Sequence, residues 1–378
     1  MNSPTPIKHE CEDARFMKRA LQLAEQGLGS VEPNPMVGCV IVRDGTVIGE
    51  GYHQRFGEAH AEVNALQACQ EANETTRGAT AYVTLEPCCH FGKTPPCSQA
   101  LIKAGVRRVV IAMTDPFDKV DGGGLVELNA AGIETSTGVM QHEALELNSA
   151  YRKRVQTGRP WCIAKWAMTA DGRIATSIGQ SQWITNETSR HDVHLLRGRC
   201  DAILVGMGTV IADDPMLTAR PTGPRTATRV VFCSTRLPST SSKLVQSAQQ
   251  GPLLLIVSST INAERLAPLQ RLGANVYRCK SSDLVSIASE GIEHLGSLGM
   301  TNVMIEGGGE LMGSVVKSGE IDEYHIYVGA KVFGGRTAPG PIGGKGFETL
   351  AEAVQLRLVG SQQIGNDIKL IYRKALIS

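Results

Sequence analysis

Residues 37–69 read VGCVIVRDGTVIGEGYHQRFGEAHAEVNALQAC. Two short β-branched runs, Val37–Val42 and Thr46–Gly51, are joined by Asp44-Gly45, the dipeptide that best suits the left-handed turn of a two-residue hairpin. At His60 the pattern changes, and apolar residues recur at helical spacing as far as Cys69. Upstream, residues 15–26 (RFMKRALQLAEQ) predict an amphipathic helix that stops before Gly27 and Gly29. Downstream, Ala79–Leu85, Cys97–Ala104 and Arg108–Met113 predict strand, helix and strand. This alternation specifies an α/β domain with strands sandwiched between helices.

Helix and strand signals pause at Tyr151–Pro160, a basic, polar stretch that reads as a linker and divides the chain into domains at 1–150 and 151–378. Beyond it, strands at Trp161–Trp166, Ala202–Val205, Thr228–Cys233, Pro252–Val257, Val303–Ile305 and Tyr324–Val328 alternate with helical segments, again α/β. The glycine cluster Gly334–Gly346 reads as a mobile loop. Two domains suit 378 residues, because one hydrophobic core stops growing near about 250–300.

Composition narrows the function. A net charge of +1 offers no global field for a polyanion, so small substrates are expected rather than nucleic acid. No apolar run is long enough to span a membrane, and Glu10, Glu12 and Asp13 break any export signal. Ten scattered cysteines then fit reduced thiols and metal binding in the cytoplasm.

His60-Ala61-Glu62, followed by Pro87-Cys88 and Pro96-Cys97, is the first constellation with chemistry in it. Zinc on three protein ligands keeps a fourth position for water, whose pKa falls to about 7, and a carboxylate that is not a ligand can move the proton. His60, Cys88 and Cys97 are the expected ligands and Glu62 the expected proton shuttle, in the HxE and Pro-Cys arrangement of zinc deaminases. Eight residues separate the cysteines where such enzymes usually have two. A closed zinc staple with His90 or Cys89 as fourth ligand is the competing reading, and Cys89 also competes with Cys88. In a staple, Glu62 would have no task.

With Pro33-Asn34-Pro35 upstream, HAE at 60–62 and CCHFGKTPPC at 88–97, the first half resembles the bifunctional deaminase/reductases of riboflavin biosynthesis. KWAMTADGRIA (165–175), SQWIT (181–185), HLLRGRCDAILVGMGTVIADDPMLTAR (194–220) and IEGGGELMGS (305–314) extend the resemblance through the second half. It implies a cytidine-deaminase-like three-layer α/β/α domain and a dihydrofolate-reductase-like α/β domain. It also implies zinc-dependent deamination of a diaminopyrimidinone ribosylamino phosphate, then NADPH-dependent reduction of the ribosyl group to ribityl. By position it assigns substrate contacts to Asn34, His53, His90 and Lys93, the last facing the phosphate. A homo-oligomer is a further implication.

Read from its residues alone, the second domain offers a strand at Val303–Ile305 running through Glu306 into Gly307-Gly308-Gly309 and a helix. That turn suits either tight packing or a phosphate cradle. Met312 stands where GxGxxG would need its last glycine. The resemblance decides for NADPH, with contacts at Ala167, Trp183, Thr209, Asp213 and Ser234 and along Gly308, Gly309, Glu310, Leu311, Met312, Gly313 and Ser314. It places substrate contacts at Lys165, Ser181, Arg197, Leu217, Arg220 and Glu306, where the two arginines suit a ribose phosphate. Ala170 and Cys233 depart from the expected leucine and aspartate. Asp213-Asp214 before Pro215 reads as a helix-ending turn, without a metal.

Two rivals share parts of this pattern. A nucleic-acid deaminase would show the short cysteine spacing and a basic face, and a decayed, merely stapled domain would not keep Glu62 beside its ligands.

Overall fold

Asp44 and Gly45 both take positive φ, 53° and 74°, and close a hairpin between β1 (Gly38–Arg43) and β2 (Thr46–Tyr52). The computed structural model describes residues 6–91, 95–117 and 122–375. The chain divides into two units, Met1–Thr157 and Gly158–Ser378.

In the first unit the hairpin joins β3 (Thr80–Val83), β4 (Arg108–Ile111) and β5 (Glu134–Thr137) in a sheet ordered β2-β1-β3-β4-β5, with β3, β4 and β5 parallel. Successive residues of β1 face opposite ways. Cys39 and Ile41 pack with Ala61 and Ala65 of α2 (Ala61–Glu71), Leu101 of α3 (Cys97–Ala104) and Leu128 of α4 (Gly123–Ala130). Val40 and Val42 pack with Phe16, Met17 and Ala20 of α1 (Pro6–Ala24) and Ala144 of α5 (Gln141–Leu147). Helices therefore cover both faces, giving three layers, α/β/α.

A last helix, α6 (Ser149–Thr157), closes this unit. Residues 151–157, read as linker from their polar composition, are helix instead. The reason is long-range: the Tyr151 hydroxyl is buried and donates to Asp115 Oδ1 at 2.8 Å, a partner that composition cannot reveal.

In chain order the second unit contains β6 (Trp161–Thr169), α7 (Glu187–Arg197), β7 (Ala202–Gly206), α8 (Met207–Asp213), β8 (Thr228–Cys233), α9 (Lys243–Gln246), β9 (Leu253–Val257) and α10 (Ala267–Arg271). It continues with β10 (Asn275–Arg278), α11 (Leu284–Ser297), β11 (Asn302–Ile305), α12 (Gly309–Ser318), β12 (Glu323–Gly329), β13 (Leu356–Ile364) and β14 (Asp367–Lys374). The nine-stranded sheet runs β10-β9-β8-β7-β11-β6-β12-β14-β13. Pairing is parallel from β10 to β12, and β14 and β13 add an antiparallel edge. One face packs on α11 and α12, the other on α7 to α10.

β6 stands beyond β11, while β7, β8, β9 and β10 follow one another outward in the opposite direction. The order thus reverses around β11, and a crevice opens outside the carboxyl ends of strands at such a reversal. The helix-ending turn at Asp213-Asp214 forms as expected: α8 ends at Asp213, and Asp214 takes φ 38°. Residues 334–346 form no regular element, and Gly343 N–H donates to Gly309 O at 2.9 Å.

Candidate active sites

In the first unit, the start of α2 brings the chemistry together. His60 is its N-cap residue with extended backbone, and its side chain makes no capping bond. It reaches instead toward the start of α3: His60 Nδ1 lies 3.6 Å from Cys88 Sγ and 3.4 Å from Cys97 Sγ. Ligand atoms of all three residues fall within 4.8 Å of one another. Tetrahedral zinc, with Zn–S near 2.3 Å and Zn–N near 2.0 Å, sets neighbouring ligand atoms about 3.5–3.8 Å apart, so this donor set fits the ion. Cys89 is not part of the cluster.

The Cys88 thiol is already polarised toward metal binding, while the hydrogen bond to Cys88 and then burial push the Cys97 thiol up. The Cys97 hydrogen bond, and after it His60, bring the Cys88 thiol down to about 4 against the cost of burial, and Cys97 N–H donates to Cys88 Sγ at 3.4 Å. Glu62, in the first turn of α2, is 3% exposed, and burial, then the Cys88 charge, lifts its carboxyl to about 7. A bound dication would favour the ionised forms of all these groups.

Cys88 is held by its neighbours on both sides. Glu86 is buried, and its carboxylate accepts N–H from Asp115, Gly122, Gly124 and Leu125 at 3.0–3.3 Å, tying the turn to the start of α4. Ser98 N–H donates to the Cys88 carbonyl oxygen at 3.2 Å. Gly124 lies so close that a Cβ there would stand 2.1 Å from Pro87 O.

A cavity of about 320 Å³ opens over the cluster and takes in Asn34, His53, His60, Glu62, Cys88 and His90. Asn34 Nδ2 lies 3.2 Å from His53 Nε2, while His53 Nδ1 lies 3.0 Å from Ala59 O. Burial lowers the His53 imidazole, so it is neutral, with Nδ1–H donating to the carbonyl and Nε2 accepting from the amide. Lys93 lies outside the described residues. Sequence reasoning missed Asp115, Tyr151 and Arg154, which also line the cavity; the last two fall in the stretch taken as linker.

In the second unit, expected residues gather at the carboxyl ends of β6, β7, β8 and β11. Arg197, from α7, grips Glu306 just beyond β11, and Lys165 Nζ on β6 is 4.0 Å from the same carboxylate. Burial alone would raise Glu306, but Arg197, and then Lys165, hold it at about 2. The guanidinium fork of Arg197 is therefore taken by a carboxylate, with Nη1 on Thr218 O at 3.3 Å, rather than offered whole to a phosphate. Arg220 is exposed and, among the described residues, has no carboxylate partner. Its charge is felt at His194, which burial and then Arg197 and Arg220 lower.

Thr209 Oγ1 accepts from Gly308 N–H at 3.0 Å, and α12 begins after Gly308 with no side-chain cap, so its first N–H groups stay open to an anion. A Cβ on Gly313 would stand 2.2 Å from Gly343 O. These features fit a phosphate-bearing cofactor. Asp213 bonds Gln182, beside Trp183, whose exposed ring carries the Arg190 guanidinium at 4.5 Å. Ala167 pairs in register with Tyr327, Leu217 is buried at φ 53°, and Ser234 follows the buried Cys233 at the end of β8. Ser181 has no hydrogen-bond partner among the described residues.

A zinc-deaminase type of site in one unit and a dinucleotide-reductase type of crevice in the other make this a two-activity enzyme. Residues 11–113 match the family model for the cytidine and deoxycytidylate deaminase zinc-binding region, and residues 160–370 that for the RibD C-terminal domain. The chain is 41% identical to the riboflavin biosynthesis protein RibD of Actinobacillus pleuropneumoniae over 95% of both chains. It is 40% identical to that of Escherichia coli over 95% of this chain and 98% of the relative. Acinetobacter baumannii RibD, form 1, superposes with a TM-score of 0.83 at 35% identity, covering 97% of this chain and 100% of that one. The diaminohydroxyphosphoribosylaminopyrimidine deaminase/5-amino-6-(5-phosphoribosylamino)uracil reductase of Thermotoga maritima gives 0.82 at 32% identity, with the same coverage. The chain belongs to the RibD family, the bifunctional deaminase/reductases of riboflavin biosynthesis.

Proposed function

We propose that the first unit deaminates 2,5-diamino-6-ribosylamino-4(3H)-pyrimidinone 5′-phosphate, and that the second reduces its ribosyl group with NADPH to give 5-amino-6-ribitylamino-uracil 5′-phosphate. The observation that carries this reading is the single cavity that holds Glu62 beside the His60, Cys88 and Cys97 cluster, in a chain of this family.

His60, Cys88 and Cys97 hold the zinc. When bound, zinc supplies the Lewis acidity that makes water a nucleophile at neutral pH. Glu62 takes a proton from that water on its carboxylate and returns it to the departing 2-amino group, a shuttle for which its burial beside the cluster places it. The hydrogen bond between Asn34 and His53 uses the amide nitrogen and leaves Asn34 Oδ1 to accept from a ring amino group. His90 and Lys93 complete the substrate contacts.

In the second unit Gly308, Gly309, Glu310, Leu311, Met312, Gly313 and Ser314 cradle the cofactor, with Ala167, Trp183, Thr209, Asp213 and Ser234 around it. When bound, NADPH supplies the hydride for the anomeric carbon. Lys165, Ser181, Leu217 and Glu306 orient the sugar. Arg197 fixes Glu306, and Arg220 meets the phosphate. Among the described residues no helix is long and apolar enough to cross a membrane. A cytoplasmic homo-oligomer, dimer or tetramer, is part of the proposal.

The test is NADPH oxidation by purified protein on the diaminopyrimidinone and on its deaminated product. Wild type should oxidise NADPH with both, and Glu62→Gln only with the deaminated one. Oxidation with neither substrate by zinc-loaded wild type would sink the substrate assignment.

A further inference from the structure

We infer that Arg154 binds the 5′-phosphate of the substrate in the deaminase cavity, and thereby selects phosphorylated pyrimidines over their dephosphorylated forms. The inference deepens the functional reading above and rests on it.

Most charges lining this cavity are settled within the protein. Glu86 is consumed by four backbone N–H groups. Asp115 accepts from the Tyr151 hydroxyl at 2.8 Å and from Phe117 N–H at 3.0 Å. Glu58 stands 3.9 Å from Arg55. Arg154 is the exception. It lines the cavity half-buried, and among the described residues it has neither a carboxylate partner nor a hydrogen bond. Its Nε is shut away from solvent without an acceptor, and so is Nδ1 of His90 in the same cavity.

A guanidinium that lines the cavity with no carboxylate and no hydrogen-bond acceptor among the described residues is a charge that a bound anion would compensate. A phosphomonoester, carrying about −1.5 to −2 charge at neutral pH with three acceptor oxygens, matches a guanidinium through paired, charge-assisted hydrogen bonds. The surrounding field has the same sign: α6 carries Arg152, Lys153 and Arg154 and no acidic residue. Asn34, His53 and Glu62 engage the ring, and Arg154, the one Lys or Arg among the described lining residues, is left for the phosphate end of the substrate.

The test compares phosphorylated and dephosphorylated diaminopyrimidinone as deaminase substrates for zinc-loaded wild type, Arg154→Ala and Arg154→Lys. For Arg154→Ala, KM for the phosphorylated substrate should rise by at least about tenfold with kcat nearly unchanged, and the dephosphorylated substrate should be handled as by wild type. Arg154→Lys should recover part of the loss, and inorganic phosphate should inhibit wild-type deamination competitively but not that of Arg154→Ala. Full zinc content in both variants, measured by metal analysis, shows that the first unit is folded. Unaltered discrimination by Arg154→Ala, or equal losses on both substrates, would overturn the inference alone. Wild type inactive on both would overturn the substrate reading and the inference together.

Discussion

Arg197 holds Glu306 through two parallel hydrogen bonds, Nε to Oε1 at 2.6 Å and Nη2 to Oε2 at 2.8 Å, with the side chains 15% and 9% exposed. Removing one partner strands the other charge. Arg197→Ala should therefore destabilise the second unit by about 3–5 kcal/mol, whereas Arg197→Lys, which keeps the charge but loses the fork, should cost less. Denaturant unfolding followed by the fluorescence of Trp161, Trp166 and Trp183, all in the second unit, measures both, and equal stabilities for the three proteins would refute the assignment.

The same pair sets a pH dependence. Glu306 is held at about 2, below its unfolded value near 4.3, so it contributes stability that is fully present above about pH 4.5 and lost as pH falls toward 2. The loss should approach about 3 kcal/mol. Unfolding curves from pH 7 down to pH 2.5 should steepen below about 4.5 for wild type, and less so for Glu306→Gln.

Glu86 touches no expected ligand, yet it should govern metal retention. A glutamine there would turn an amide N–H₂ toward backbone donors, weaken the turn before Cys88 by about 2 kcal/mol and lower zinc affinity by about tenfold. Competition with a chromophoric chelator reads this directly; affinity equal to wild type would show that the turn stands without Glu86.

The two adjacent cysteines should separate cleanly. Cys88→Ser should lose zinc and deamination, while Cys89→Ser should keep one zinc per chain and full activity, because only the Cys88 thiol joins His60 and Cys97. Metal analysis decides it, and zinc loss in Cys89→Ser would restore the stapled reading.

Gly313→Ala should damage only the second activity. The added methyl would stand 2.2 Å from Gly343 O and must push the glycine-rich segment off α12. The expected result is a raised KM for NADPH with unaltered deamination, measured separately on the same preparation.

Where local chemistry decides the structure, the sequence was readable. Asp44-Gly45 demands positive φ and found it, and Cys97–Ala104 and Thr228–Cys233 have the expected ends residue for residue. The metal cluster was legible because HxE and Pro-Cys fix which atoms can approach one another. α6 was not legible: Arg152, Lys153, Arg154 and Gln156 read as solvated, and only the distant Asp115 makes Tyr151 a buried anchor. The β13–β14 hairpin escaped for a related reason, since most of β13 is exposed and lacks an alternating apolar pattern. Arg197 and Glu306 were both foreseen as site residues but not as partners, because no rule of spacing places Glu306, 109 residues away, in the Arg197 fork.

His60 stands at the start of α2 and Cys97 at the start of α3, so two of the three proposed ligands sit on helix ends that the core already fixes. The eight residues between Cys88 and Cys97 are spared from holding the ion. Reactivity and selectivity are in that sense written on different stretches of chain. On the proposed ligand set, substitutions between the cysteines leave the metal and Glu62 in place, which makes that segment one place to begin, beside Asn34, His53 and Arg154, when redirecting the enzyme to a new amine.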